Sequence, residues 1–175
     1  REMAHIPEMM TSVSELNRVM NSVGGMGLMN GVRDAREFSK RFKESIDALK
    51  DMSKIMQTSM EGALQYFQEA KRSGFHDPSA MKQNAFNRQV TAGITGMTQS
   101  QVGQLQYSGS MMSFSAGGQR SSGANLALRS AQQIGTANEM GIISNERIAE
   151  LTGEEGGAGI GMMAESLTNA SYRMS

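Results

Sequence analysis

The sequence predicts an all-α chain in which one long amphipathic heptad helix is followed by several short, Gly-punctuated helices. Three observations predict it. Of 175 residues only 2 are Pro and 9 are aromatic, and runs of β-branched residues are few, which together favour helix over strand. Apolar residues recur at helical spacing through most of the chain. Capping residues and glycines stand at regular intervals, as they do at helix starts and stops. The length suits one domain and strains to hold two.

The first element expected is a helix opened by Pro7 and carrying Met9, Val13, Leu16, Met20 and Val23. Pro is favoured in a first helical turn because its missing N–H is an orphan there anyway. The glycines of residues 23–32 end that helix, so 1–30 reads as an N-terminal helix and Gly-rich turn.

Residues 31–74 carry the strongest pattern. Ala35, Phe42, Leu49, Met56, Ala63 and Ala70 repeat every seven residues, and Phe38, Ile46, Met52, Met60, Leu64 and Phe67 widen the stripe. A strict seven-residue repeat drifts about 20° per heptad on a straight helix, which favours supercoiling against a partner. Unbroken from Val32 to Ser73, this helix would be roughly 63 Å long, with Gly62 as the expected bend and Gly74 as the stop. A helix of that length calls for a partner helix. The expectation is therefore an oligomeric bundle or ring, with Ala35, Phe38, Phe42, Ile46, Leu49, Met52, Met56, Met60, Ala63 and Phe67 as the interface between copies.

Residues 75–175 read as a small bundle of short helices. Composition shifts here: residues 91–175 hold 14 of the 20 glycines but only four of the 17 basic residues. Asp77-Pro78 is an N-cap and first-turn proline for a helix carrying Met81, Phe86, Val90 and Ile94. Thr98-Gln-Ser-Gln101 is a capping box ahead of Val102, Leu105 and Met112. Ser121 or Ser122 is expected to start the next helix, with Leu126, Leu128, Ala131, Ile134 and Ala137 inside. Ser144 caps a short helix through Leu151, and Gly153 ends it. The last runs from about Ile160 to Tyr172. Met97-Thr98 with Val102 and Leu105 echoes Ile143-Ser144 with Ile148 and Leu151, which is the grammar of any helix start.

The chemistry the sequence offers is thin. Seventeen basic residues balance seventeen acidic ones, so the chain lacks the basic face that sequence-independent nucleic-acid binding uses, and no sequence-specific nucleic-acid binding is expected. With no Cys and two distant histidines, His5 and His76, neither a disulfide scaffold nor an ordinary zinc site is available. Gly156-Gly157-Ala158-Gly159 lacks the lysine of a phosphate-binding loop, and no cofactor is expected. His76-Asp77 has the residue types of an acid–base pair, but Asp77 already serves as a cap. Met52, Met56 and Met60 offer soft thioethers for Cu(I), yet their spacing is that of the core stripe, where flexible Met fills irregular contacts. Transient membrane contact, where it is made, falls on the Gly-rich stretches 23–32 and 156–164, each too short for a span. The chain begins at Arg1 rather than Met, and reads as an excerpt of a longer polypeptide.

Two family resemblances follow from particular strings. Glu165-Ser166 resembles the Glu-Ser pair of lytic transglycosylases, and Gly27-Leu28-Met29-Asn30 resembles their Gly-Leu-Met-Gln. In that family the glycine motif follows the glutamate, whereas here it precedes it. The string Met97-Thr-Gln-Ser-Gln-Val-Gly-Gln-Leu-Gln-Tyr-Ser-Gly-Ser-Met111 is similar in style to tape-measure and internal virion (ejection) proteins of tailed bacteriophages. So are Gln132-Gln-Ile-Gly135, Gly141-Ile-Ile-Ser144 and Ile148-Ala-Glu-Leu-Thr-Gly153. That resemblance covers residues 97 to about 172 and is one of composition and phrase. It implies a structural, non-catalytic virion part held in the capsid interior or tail lumen and released with the genome to the host cell envelope. It also implies partners among portal, tail or core proteins beside further copies of itself. A helical translocator of a bacterial secretion system shares the low Pro, absent Cys and heptads, and stands as a third reading.

Overall fold

The computed structural model describes residues 33–174 together with Arg18 and Asn21. The expected N-terminal helix and Gly-rich turn, 1–30, lie outside these residues apart from Arg18 and Asn21, which are helical and exposed. The described chain is all-α, with helices α1 (Ala35–Met56), α2 (Met60–Arg72), α3 (Pro78–Thr95), α4 (Gln99–Ser115), α5 (Arg120–Glu139), α6 (Asn145–Thr152) and α7 (Gly156–Arg173). It divides into two compact units, residues 1–68 and 69–175.

In the first unit, Asp34 caps α1 by accepting from the Glu37 backbone N–H at 2.8 Å, which satisfies one of the donors a helix start leaves open. Glu37 in turn pairs with Arg41 at 2.8 Å, one turn on. The Phe38 and Phe42 rings stack with centroids 6.1 Å apart. Phe42, Ile46, Ala48, Leu49 and Met52 form the buried face of α1, and Met60, Ala63, Leu64, Tyr66 and Phe67 that of α2.

The single long helix expected over 31–74 is two helices, and the break is not at Gly62. It falls at Gln57–Ser59. Gln57 adopts φ 50° and ψ 44°. The backbone N–H of Gln57 donates to the Lys54 carbonyl and that of Thr58 to the Ser53 carbonyl, which is the Schellman ending of a helix. Ser59 then opens α2 by accepting from the Gly62 N–H at 3.2 Å. Two polar caps in succession supply enough local hydrogen bonds to end one helix and begin another without proline.

The second unit is built on the α4–α5 pair, with α3 and α7 packed against both and α6 against α7. Its starts follow the sequence closely. Asp77 accepts from the Ala80 N–H at 2.9 Å, Thr98 and Gln101 form the full capping box, and Ser144 accepts from the Arg147 N–H at 3.1 Å. Two starts differ. Helix α5 begins at Arg120 behind Gln119, which makes no side-chain cap, so neither Ser121 nor Ser122 is its cap. Helix α7 begins four residues before Ile160, at Gly156. Gly157 explains that: a Cβ there would come within 2.7 Å of the Met97 N and 2.8 Å of the Gly96 O. The glycines of 156–161 let α7 lie against the α3–α4 turn, a close helix contact of the kind small residues allow.

The core of this unit is small and partly polar. Val102, Leu105, Leu128, Ile134, Ile148 and Ile160 are its larger apolar members, with Ala127, Ala131 and Ala164 between them. Asn84, Arg88, Thr91, Thr95, Gln106, Ser110, Ser113 and Thr168 are buried beside them. The buried threonines bond carbonyls four residues back, Thr95 to Thr91 at 2.6 Å and Thr168 to Ala164 at 2.8 Å. Gln106 donates to Asn84 Oδ1 at 3.0 Å, and Gln132 to Thr91 Oγ1 at 2.9 Å. Arg88 donates to Glu69 Oε2 and to the Gln99 carbonyl, each at 2.9 Å. Pairing of this kind offsets the cost of burying polar groups.

Candidate docking surface

The ten residues expected at an interface between copies are placed as follows. Phe42, Ile46, Leu49, Met52, Met60, Ala63 and Phe67 are buried within one copy of the chain. Phe38 and Met56 are half-buried, and Ala35 is exposed. In this structure seven of the ten are therefore covered within one copy. A second copy reaches those seven side chains only if the first unit opens.

The exposed apolar surface lies elsewhere, on the second unit. Val102, Leu105, Gly109 and Ser113 turn one face of α4 inward. The opposite side then carries Tyr107 and Phe114 outward, 48% and 55% exposed. Tyr107, Ser108, Met111, Met112, Ser115 and Ala116 form one wall of an open groove, and Asn169, Tyr172 and Arg173 at the end of α7 form the other. Its volume is about 650 Å³. Ser108 Oγ also donates to Glu165 Oε1 at 2.7 Å, joining α4 to α7. At the far end of α4, the Arg120 guanidinium sits 4.5 Å from the centroid of the Phe114 ring and donates to the Arg72 carbonyl at 3.3 Å. A cation over an aromatic face holds the ring in place.

Met and Tyr lining, with polar atoms at the rim, is the make-up of a protein-recognition surface: Met adapts its shape and Tyr offers area with a polar tip. Sequence reasoning put Met112 on the helix with Val102 and Leu105 and did not single out Tyr107, Met111, Asn169, Tyr172 or Arg173 for a surface. The signal was present as Tyr107, Met111 and Ser115 at four-residue steps, on the face that Val102 and Leu105 leave free.

The candidate chemical groups are not gathered. Asp77 is turned to the α3 backbone as a cap, and His76 beside it is exposed. Glu165 is exposed and engaged with Ser108, where a general acid of a glycosidase sits in an apolar enclosure opposite a second carboxylate. Gly27-Leu28-Met29-Asn30 lies outside the described residues. Among the described residues, no group of three or more His, Asp or Glu side chains is placed to hold a metal ion. Nor is any described helix long and apolar enough to cross a membrane. Met52 and Met60 are packed in the first unit's core.

Comparison with protein-family models, curated proteins and solved structures finds no match for this chain.

The lytic reading has a direct check. A suspension of purified cell walls is expected to keep its turbidity with this chain and equally with Glu165→Gln. Clearing by the parent that the variant loses would make Glu165 a catalytic acid.

Proposed function

We propose that this chain is a structural component of a tailed-bacteriophage particle, an internal virion, ejection or tape-measure protein that docks on other virion proteins and takes part in genome delivery. The observation that carries the reading is where the groove lies. The segment that resembles those virion proteins, from Met97 to about residue 172, forms most of the second unit, and it is this segment that lines the groove with Tyr107, Met111, Met112 and Tyr172. A surface of that make-up suits docking on the wall of a portal, tail or core. Balanced charge, 17 basic against 17 acidic residues, suits a protein packed beside DNA without gripping it. Assembly with further copies belongs to the same reading, as does residence in the capsid interior or tail lumen before infection.

The groove gives the test. In particles of a phage that carries this reading frame, the parent chain supplied in trans is incorporated. Met112→Asp places a charge on the α4 wall of the groove, where Met112 is half-buried, and is expected to reduce incorporation at least tenfold, the factor carried by about 1.4 kcal/mol of docking energy. Equal incorporation of a folded Met112→Asp chain would remove the groove from the account. Absence of the parent chain from purified particles would remove the virion reading itself.

A further inference from the structure

The break between α1 and α2 has an unusual make-up. No glycine or proline occurs in Gln57-Thr58-Ser59, although glycine is the usual residue where a helix ends in the left-handed conformation. Gln57 is the non-glycine residue with positive φ among the described residues, a conformation that L side chains pay for sterically. Gln is otherwise a good helix former. The apolar repeat ignores the break: Leu49, Met56 and Ala63 keep their seven-residue step across it. An insertion that truly separated two helices would shift that phase.

We propose that residues 57–59 are a two-state hinge. In one state, the one described, the chain breaks at Gln57. In the other, Ala35–Arg72 form one continuous helix of about 57 Å, whose in-phase stripe is covered by the same stripe of a second copy. Local contacts hold the broken state. Ser53 Oγ donates to the Thr58 carbonyl at 2.5 Å, and Ser59 caps α2. Gly62 belongs to that lock. A Cβ at Gly62 would overlap Thr58 Oγ1 and lie 3.1 Å from Thr58 Cβ, so only glycine leaves the Thr58 side chain its place over the first turn of α2. In the continuous helix the same glycine is an interior residue, where alanine is preferred. Met52, Met56 and Met60 line the stripe on both sides of the hinge, and their flexible side chains repack at low cost. The inference goes beyond the virion reading and does not depend on it.

Two substitutions push the equilibrium in opposite directions. Gly62→Ala removes room needed by the broken state and favours the continuous helix. Gln57→Gly relieves the positive φ and weakens the continuous helix. The chain has no Cys, so Lys40→Cys and Gln68→Cys, both at exposed positions, accept a pair of spin labels cleanly. Twenty-eight residues of continuous helix separate those sites by about 42 Å, and a bend between two helices shortens such a separation. Pulsed electron spin resonance is expected to show a long-distance fraction that grows with protein concentration. Gly62→Ala raises the ratio of long to short distances by about two- to fivefold, and Gln57→Gly lowers it by a similar factor. One unchanging short distance in the parent and both variants, each folded by circular dichroism, would overturn the hinge.

Discussion

Gly123→Val is expected to destabilise the second unit by at least about 3 kcal/mol, the upper range of overpacking a close-fitted core. Helices α4 and α5 cross with glycine on both sides. A Cβ at Gly123 would fall 2.6 Å from Ser113 Cβ and 2.7 Å from the Gly109 carbonyl carbon, and would overlap the Gly109 oxygen. A Cβ at Gly109 would fall 2.7 Å from Ala127 Cβ. Backbone meets backbone there, so no side chain can turn aside, and the helices must separate. Separation strips contact from Val102, Ala124, Ala127 and Leu128, all buried along the pair. For a unit of this size each kcal/mol lowers Tm by roughly 4–8 °C, so the melting point is expected to fall by more than about 12 °C. Gly93→Ala is the matched control. A Cβ there meets no atom within 4 Å, and in a helix interior it is expected to raise stability by about 0.5–1 kcal/mol. Scanning calorimetry of the three proteins checks both signs.

Leu49→Asp is expected to unfold the first unit. Leu49 is wholly buried in one copy, between Ile46 and Met52 on the inner face of α1. An unpaired carboxylate there replaces apolar contact with a desolvated charge, a change of more than about 4 kcal/mol. Leu49→Met keeps volume and apolarity and is expected to cost less than about 1.5 kcal/mol. Hydrogen exchange reads the difference: the amides of α1 and α2 lose protection in Leu49→Asp and retain it in Leu49→Met. If Leu49→Asp instead keeps protected helices and only changes sedimentation, Leu49 is a contact between copies and the core assignment fails.

What could be read from the sequence follows a physical line. In the second unit, helix starts were legible wherever a short polar side chain caps its own helix, because that interaction spans three residues. Asp77, Thr98 and Ser144 are of this kind. Gln119 is not a side-chain cap, and the start of α5 was accordingly misplaced. The stripe of the first unit was legible as a largely buried face because most of its members are bulky. Where it ends up was not, because periodicity marks a face for burial without saying what buries it.

The second unit shows the other limit. Its inner faces are largely Gly, Ala, Ser, Thr and amides, so the usual contrast of greasy against polar is nearly absent along α4. Reading bulk as burial would put Phe86 and Leu151 inside, yet they are 55% and 56% exposed. It also passed over Asn84, Arg88, Gln106 and Ser110, which are buried. Arg88 is intelligible only from the fold, since its partners Glu69 and Gln99 come from opposite sides of it in the sequence. The groove was hidden for the same reason: Tyr107 and Tyr172 line it from α4 and α7, 65 residues apart in the sequence.

The account rests on this chain being a part carried in a particle and spent on delivery. Quantitative mass spectrometry of density-purified phage, before and after ejection is triggered, measures that directly. The account predicts peptides of this chain in DNA-filled particles and their loss, together with the genome, from emptied ones. Peptides found only in the infected cell's soluble fraction and in neither class of particle would contradict it.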